Sequence, residues 1–160
     1  MDNLWAPWRR GYIGSKKGKG CIFCKSLKAK GGNHIIFRSR HSFAILNRYP
    51  YNNGHIMIAP RRHVRELAGL KDYETLDLIV SLKKAQGLLR KVLKPQGYNI
   101  GINTSQNAGA GISGHLHVHI VPRWKGDTNF MPVLSNTKVI SQSLEELYRQ
   151  LKRHVKPEAD

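Results

Sequence analysis

The fold of this chain is decided by the stretch Gly114-His115-Leu116-His117-Val118-His119-Ile120-Val121-Pro122-Arg123-Trp124. Its residues alternate between histidine and aliphatic side chains, and successive side chains of a β-strand point to opposite faces of the sheet. The pattern therefore predicts a strand with one aliphatic, buried face and three imidazoles on the other face. Such a row can offer a nucleophilic nitrogen and a proton donor to one small ligand.

Two other interpretations of the histidine row are open. It could be the water-facing side of an edge strand, or all three imidazoles could bind one zinc ion, as in zinc hydrolases. The zinc interpretation requires three nitrogens to converge on one point, which positions i, i+2 and i+4 of a flat strand do not readily achieve. Three of the eight histidines of the chain lie in this row, which favours a chemical role.

Length and composition indicate one globular domain. At 160 residues the chain can bury its own core. No apolar run approaches the roughly 18 residues of a membrane span, and the N-terminus lacks the basic and apolar regions of a signal peptide. We therefore expect a soluble, cytoplasmic protein with no membrane partner.

The charge is strongly positive and unevenly distributed. The formal net charge is +17, and residues 1–65 carry fourteen Lys or Arg against one acid, Asp2. Such a surface attracts nucleotide phosphates, nucleic acid or an acidic partner. A nucleic-acid-binding module remains a possible but less favoured alternative, because no RNA-binding motif accompanies the basic residues.

The two cysteines of the chain, Cys21 and Cys24, are three residues apart. One turn can place both thiolates on one ion, so the spacing suits a metal clip better than a disulfide framework. A thioredoxin-like site would follow a strand, and the preceding Gly-Lys-Gly loop predicts none. A zinc site needs two ligands besides these cysteines. Without them, the two thiols would be buried side chains that only fill space in the core, which is the alternative interpretation.

The rest of the chain predicts an α+β domain. Segments 34–38, 42–47, 55–60 and 98–103 are expected to be strands that form, with the histidine stretch, a five-stranded, mostly antiparallel sheet. From Asp72 to Lys94 apolar residues recur every three or four positions, which predicts one long helix packed on the sheet, and a C-terminal helix is expected over 141–155. We expect Gly87 inside the long helix to mark close packing.

A glycine-rich loop precedes the histidine stretch. Gly109-x-Gly111-x-x-Gly114 has the letters of the dinucleotide-binding fingerprint. That motif must open a helix, whereas a strand follows here, so a Rossmann site is excluded. A loop between strands can still turn N–H groups toward phosphate oxygens.

The run from His115 to Val121 matches the His-φ-His-φ-His-φ-φ signature of the histidine triad (HIT) superfamily of nucleotide hydrolases and transferases, where φ is apolar. Residues 122–131 resemble a bacterial branch similar to diadenosine tetraphosphate phosphorylases and hydrolases. The resemblance implies the HIT fold, usually a homodimer. Segment 1–20 is then an aromatic and basic N-terminal segment, 21–155 the HIT domain and 156–160 a tail.

The resemblance also implies the reaction. His117 is the nucleophile that attacks a dinucleoside polyphosphate and becomes a nucleotidyl-histidine intermediate. His119 contacts the phosphates and helps the leaving group depart, and His115 completes the catalytic triad. Hydrolysis and phosphorolysis are both compatible with these roles, and a nucleoside phosphoramidase or a nucleotidyltransferase is the alternative within the superfamily.

Substrate-binding residues follow from two further matches. The pattern Leu-Asn-x-x-Pro-x-x-x-Gly-His, residues 46–55, resembles the nucleoside pocket, with the ribose at its asparagine. An asparagine on the fourth predicted strand and the glycine-rich loop that follows it resemble the phosphate-binding part. The implied substrate-binding residues are Asn47, His55, Asn103, Gly111 and Ser113. The loop departs from the family pattern at Ile112, where Ser or Thr is common.

The same resemblance implies a structural zinc ion. Relatives with Cys-x-x-Cys also have a histidine after a Pro-x-x step, here Pro60-Arg61-Arg62-His63. They use the first triad histidine as the fourth ligand. The implied ligands are Cys21, Cys24, His63 and His115.

Overall fold

The computed structural model describes residues 20–31, 33–128 and 139–155. The predicted tail 156–160 and the N-terminal segment up to residue 19 lie outside the described residues. The elements, in chain order, are α1 (Ile22–Lys28), β1 (Ile35–Arg38), β2 (Ser42–Leu46), β3 (Ile56–Pro60), a 3-10 turn (Leu67–Gly69), α2 (Asp72–Leu93), β4 (Gly97–Gly101), β5 (Val118–Arg123) and α3 (Leu144–Arg153).

The five strands form one sheet in the order β1-β2-β3-β5-β4, and every neighbouring pair is antiparallel. The histidine-bearing β5 therefore lies inside the sheet, between β3 and β4. The predicted α+β fold is confirmed, including the five-stranded sheet, the long helix and the C-terminal helix.

The two faces of the sheet have different coverings. Helices α2 and α3 pack on one face, over a core that includes Ile58, Val118, Ile120, Leu89 and Leu151. The opposite face carries a second apolar cluster, on which Phe23 of α1 packs; its buried members are Phe23, Ile35, Phe43, Ile45, Met57 and Ala59. Because side chains alternate along a strand, His119 lies on the face opposite its neighbours Val118 and Ile120.

Strand β5 is shorter than the alternating pattern predicts. Its ladder with β3 ends at the pair Ile58–Val118, so His115 and His117 lie just before the strand. Ahead of it, the Leu116 N–H donates to the Val64 carbonyl at 2.7 Å. The backbone leaves β3 at this point because β3 ends at Pro60, which has no N–H to continue the ladder.

Helix α2 is fixed to the sheet by Asp77. The hydroxyl groups of Ser39 and Ser42 donate to the two oxygens of its carboxylate at 2.6 and 2.5 Å. Ser42 is fully buried, and its Oγ also lies 2.7 Å from Oγ of Ser81. A buried hydroxyl without a partner is costly, so these bonds fix how the helix lies on β2.

The expectation for Gly87 is wrong. A Cβ atom placed at Gly87 would meet no atom of the described residues within 4 Å, because the glycine lies on the outer side of α2. Within the part of the chain that the structure describes, no helix is long and apolar enough to cross a membrane.

Candidate active site and metal centre

The imidazole of His117 is held in one tautomer by a hydrogen bond to the backbone. It is buried, and its Nδ1 lies 2.8 Å from the carbonyl oxygen of His115. A carbonyl oxygen only accepts, so Nδ1 carries the hydrogen and donates it. Burial lowers the pKa of His117 below its ordinary value, against the opposing effect of that hydrogen bond. The neutral ring therefore has its lone pair on Nε2, the nitrogen suited to nucleophilic attack.

His55 is fixed in the opposite tautomer. The backbone N–H of Tyr51 donates to its Nδ1 at 3.1 Å, and Nδ2 of Asn47 lies 3.2 Å from the same atom. Burial, together with His119 and His117 nearby, lowers the pKa of His55 to about 3. The ring is therefore neutral at pH 7, with its lone pair on Nδ1 and its hydrogen on Nε2.

This tautomer determines that of the third triad residue. Nε2 of His55 lies 2.9 Å from Nδ1 of His119 and donates to it. A neutral His119 consequently carries its own hydrogen on Nε2. The ring centroids of His119 and His117 are 4.8 Å apart, so a nitrogen lone pair and an N–H donor are provided by adjacent imidazoles.

His115 is turned away from this pair. Its Nε2 donates to the carbonyl oxygen of Pro60 at 2.9 Å, and its Nδ1 lies 3.2 Å from Sγ of Cys21 and 3.7 Å from Sγ of Cys24. Nδ1 of His63 lies 3.4 Å from Sγ of Cys24. One ligand atom from each of these four residues lies within 4.8 Å of all the others.

The four atoms fit a tetrahedral zinc site. In a tetrahedral site with zinc–ligand bonds of about 2.0 to 2.3 Å, neighbouring ligand atoms are about 3.3 to 3.8 Å apart. The three Sγ–Nδ1 distances given above, 3.2, 3.4 and 3.7 Å, are close to this range. The Nε2–H···O=C bond of His115 leaves the lone pair of Nδ1 toward the sulfurs, as a metal ligand requires. Within residues 20–31, 33–128 and 139–155 this is the one group of three or more ligand side chains so close together. The three triad imidazoles do not form such a group.

The loop that carries His63 is fastened to the start of α2. Arg62, its neighbour, binds both carboxylate oxygens of Glu74 with Nε and Nη2 at 2.9 and 2.6 Å, and Nη2 also donates to the Gly69 carbonyl. The Lys71 N–H donates to the same carboxylate at 2.9 Å. Arg62 and Lys71 lower the pKa of the buried Glu74 to about 2.

Asn47, the residue that the resemblance assigns to the ribose, contacts Tyr49 and His55. Its Oδ1 accepts the Tyr49 N–H at 3.0 Å, and its Nδ2 contacts His55. A cavity of about 220 Å³ adjoins the residue. The lining residues are Leu46, Asn47, Pro50, Asn53, Gly54, His55, Ile140, Gln142, Leu144 and Leu147. Asn47 and His55 thus connect this cavity to the histidine pair.

The glycine-rich loop folds over the histidine face of the sheet. Ile112 packs against the second apolar cluster, which explains a hydrophobic residue at this position of the loop. The N–H groups of Gly109 and Ala110 donate to carbonyls inside the loop. Of the predicted phosphate-binding residues, Gly111 and Ser113 follow this turn and are half-buried, and Asn103 lies before it.

The structure thus brings eight of the eleven predicted site residues into two groups; Asn103, Gly111 and Ser113 are not among these eight. His55, His119 and His117 form one together with Asn47, and the cysteines form the other with His63 and His115. Sequence reasoning missed Arg62, Glu74 and Phe23. For Phe23, the only local signal was a large apolar residue inside the Cys-x-x-Cys motif.

Comparisons with known proteins identify the family of the chain. The HIT domain family matches residues 29–126 of the chain. The AP-4-A phosphorylase of Mycobacterium tuberculosis is 36% identical over 161 residues, which cover 94% of this chain and 83% of that protein. The asymmetrical bis(5'-nucleosyl)-tetraphosphatase of Schizosaccharomyces pombe is 38% identical over 96 residues, 60% of this chain and 52% of that protein.

Solved structures share the fold. A histidine triad nucleotide-binding protein from Sulfolobus tokodaii superposes with a TM-score of 0.69 at 24% identity, over 83% of this chain and 90% of its own. A Zn-bound histidine triad family protein from Mycobacterium smegmatis superposes with a TM-score of 0.68 at 24% identity, over 84% of this chain and 91% of its own.

Proposed function

This chain belongs to the HIT domain family, and on that premise we propose that it is an enzyme that cleaves dinucleoside polyphosphates, such as diadenosine tetraphosphate, at a phosphoanhydride bond. One observation carries the proposal. The buried His117 has its hydrogen fixed on Nδ1 and its lone pair on Nε2, beside an imidazole that offers an N–H group. Relatives named for reactions of such substrates support the choice of substrate.

In the first step Nε2 of His117 attacks the α-phosphorus of one nucleotide. A P–N bond forms as the P–O bond to the bridging oxygen breaks, which gives a nucleotidyl-histidine intermediate and releases the rest of the substrate. The carbonyl oxygen of His115 supports the step because it holds the Nδ1–H of the ring, which becomes cationic during attack. His115 acts through this carbonyl, while its imidazole points to the metal centre.

His119 is the residue that assists the leaving group. Its Nε2–H can donate a hydrogen bond to the bridging oxygen and so stabilise the negative charge that develops there as the P–O bond breaks. His55 is a positioning residue, because its bond to Nδ1 of His119 keeps the proton of a neutral His119 on Nε2.

The second step regenerates His117. Water would release a nucleoside monophosphate, whereas inorganic phosphate would release a nucleoside diphosphate. The phosphate oxygens would be bound by Asn103 and the loop at Gly111 and Ser113, and the ribose by Asn47. The assignments of Asn103, Gly111 and Ser113 rest on the family resemblance, and that of Asn47 is also supported by its contact with His55.

Cys21, Cys24, His63 and His115 would hold a structural zinc ion. The separations of their ligand atoms and the donor set of two thiols and two imidazoles support the assignment. Zinc bound there supplies folding free energy and no reaction chemistry, because all four positions are protein ligands. The unpaired thiols also support a reducing cytoplasm as the compartment.

We expect the enzyme to be a homodimer. The outer side of α2 exposes several apolar side chains, Tyr73, Leu76, Ile79 and Val80. It adjoins the edge strand β4, since the Tyr98 hydroxyl donates to the Gln86 carbonyl, and β4 exposes Ile100. A second copy could cover these exposed apolar side chains. Sedimentation should give a dimer for the wild type and a monomer for Val80→Glu.

The reaction is tested by product analysis. Purified protein is incubated with diadenosine tetraphosphate in the presence and absence of inorganic phosphate. ATP and ADP formed only with phosphate identify a phosphorylase, whereas ATP and AMP without phosphate identify a hydrolase. No turnover of this substrate contradicts the proposal, and turnover of adenosine phosphoramidate alone would identify the phosphoramidase alternative.

His117→Asn is the decisive variant. It removes the nucleophile and leaves the pocket, so nucleotide binding should persist while kcat falls below about a hundredth of the wild-type value. A variant that retains more than this would show that His117 forms no covalent intermediate.

A further inference from the structure

Phe23 lies between the two cysteines and is fully buried. It belongs to α1, a helix of only seven residues, in which the preceding Ile22 is 47% exposed. So short a helix is not stable by itself in water. Leu27 holds the end of α1 on the second apolar cluster, and Arg38 donates to its carbonyl. The first turn of α1 holds Phe23 between Cys21 and Cys24, which are the N-cap and the third residue of the helix.

The ring of Phe23 packs on two imidazoles of the triad. The ring centroid lies 5.1 Å from that of His115 and 5.0 Å from that of His117, with interplanar angles of 50° and 43°. Its other aromatic contact is Phe43, at 6.2 Å in an edge geometry. These separations are in the range of favourable aromatic pairs. One side chain therefore connects a metal-site imidazole with the proposed nucleophile.

The orientation of His117 needs this contact. The Nδ1–H···O=C bond to His115 fixes one atom of the ring, but the torsion that turns an imidazole has broad wells, so one bond leaves freedom to tilt. Phe23 lies against the same ring as an apolar wall. A ring tilted away from the bond would direct Nε2 off the line of attack, and small misplacements of reacting groups cost large factors in rate.

We propose that Phe23 is a positioning residue that transmits the state of the Cys21/Cys24/His63/His115 site to the nucleophile. When both thiolates of α1 are held by a cation, the ring of Phe23 is pressed against His117. When the thiolates are released, α1 loosens and the ring of Phe23 withdraws. The inference rests on the proposed function of His117, and it makes the metal site a determinant of the chemical step although the metal takes no part in it.

Phe23→Leu tests this inference, because it keeps an apolar side chain and removes the ring. Ile22→Ala, at the exposed neighbouring position, is the matched control. We measure zinc content, kcat and KM, and the single-turnover rate of nucleotidyl transfer to His117. Phe23→Leu should retain zinc and change KM less than twofold, while kcat and the single-turnover rate fall about tenfold or more. Ile22→Ala should match the wild type.

Removal of zinc with a chelator is the second part of this test. Removal of zinc from the wild type should lower the single-turnover rate about as much as Phe23→Leu does, and chelation of Phe23→Leu should add little, since both changes remove the same contact. In ¹⁵N NMR spectra, His117 should be a single Nδ1–H tautomer in the zinc-bound wild type and a mixture in the chelated protein and in Phe23→Leu. Should Phe23→Leu fail to fold, the spectra of the chelated wild type decide.

Wild-type kcat in Phe23→Leu, or an unchanged His117 spectrum after chelation, would overturn the inference. His117→Asn separates this outcome from failure of the proposed function. If His117→Asn is inactive while Phe23→Leu is normal, only the inference about Phe23 is wrong. If His117→Asn remains active, the proposed nucleophile is wrong.

Discussion

Nε2 of His55 donates a hydrogen bond to Nδ1 of His119 over 2.9 Å. The two residues are 64 positions apart in the sequence, and the bond connects the residue that precedes β3 with the second residue of β5. His55 can serve as the donor because the Tyr51 N–H occupies its other nitrogen. The hydrogen of a neutral His119 is consequently on Nε2, from which it can be donated in a hydrogen bond to the leaving group.

Loss of this donor should slow the chemical step. His55→Phe removes the hydrogen bond, so His119 can adopt either tautomer, and we expect kcat to fall by about 10- to 100-fold. His55→Gln retains an N–H donor and should keep more of the activity. Steady-state kinetics of both variants on diadenosine tetraphosphate test the expectation, and equal kcat values for His55→Phe and the wild type would refute it.

The same buried ring should make stability depend on pH. Burial lowers the pKa of His55 from 6.5 to about 3 in the folded protein, so between these values the unfolded chain binds a proton that the folded chain does not. Stability should therefore fall as the pH decreases from 6.5 toward 3, with a contribution of about 1.4 kcal/mol for each pH unit. Above pH 7 the contribution is constant.

Denaturant unfolding of the wild type and of His55→Gln over this pH range measures the contribution. Both proteins contain the same cysteine and histidine ligands, so proton competition at the metal site cancels in the difference. The wild type should lose more stability than the variant as the pH falls. Parallel curves would mean that His55 is protonated in the folded protein.

The metal centre predicts a fixed metal content. The purified protein should contain about one zinc ion per chain, and Cys24→Ser should release it and lower the melting temperature, because ligand binding at a closed site is coupled to folding. Lys25→Ser, at the next position of α1, is the matched control and should keep the metal. A metal-free wild type whose melting temperature does not respond to a chelator would leave the cysteines as ordinary buried thiols.

The Arg62–Glu74 pair should control how long the metal stays bound. Glu74→Gln weakens the bidentate contact that fastens the loop next to His63, and removal of an outer support of a ligand typically costs about tenfold or more in metal affinity. We expect zinc release to a competing chelator to be about tenfold faster than in the wild type. Glu66→Gln changes an exposed residue on the same connection and should release zinc at the wild-type rate. Equal release rates from the wild type, Glu74→Gln and Glu66→Gln would show that the Arg62–Glu74 pair does not support the metal site.

The sequence by itself determined the features that depend on local periodicity. Alternation of histidine with aliphatic residues determined that the end of the triad segment enters a sheet with His119 opposite Val118 and Ile120, because a strand has a period of two. Helical periodicity from Asp72 determined α2, and the glycine-rich loop followed by a strand excluded a Rossmann site. The HIT signature indicated the family from the same residues, and the match of the HIT domain family to residues 29–126 confirmed it.

Only the tertiary structure decided which side chains meet. The ladder of β5 ends at Val118 because β3 ends at Pro60, and this turns His115 toward Cys21, 94 positions away. Likewise the tautomer of His119 depends on His55, and the orientation of His117 involves Phe23 of a different element. Such contacts arise from strand register and shared burial between distant segments, and no local spacing in the chain encodes either of these.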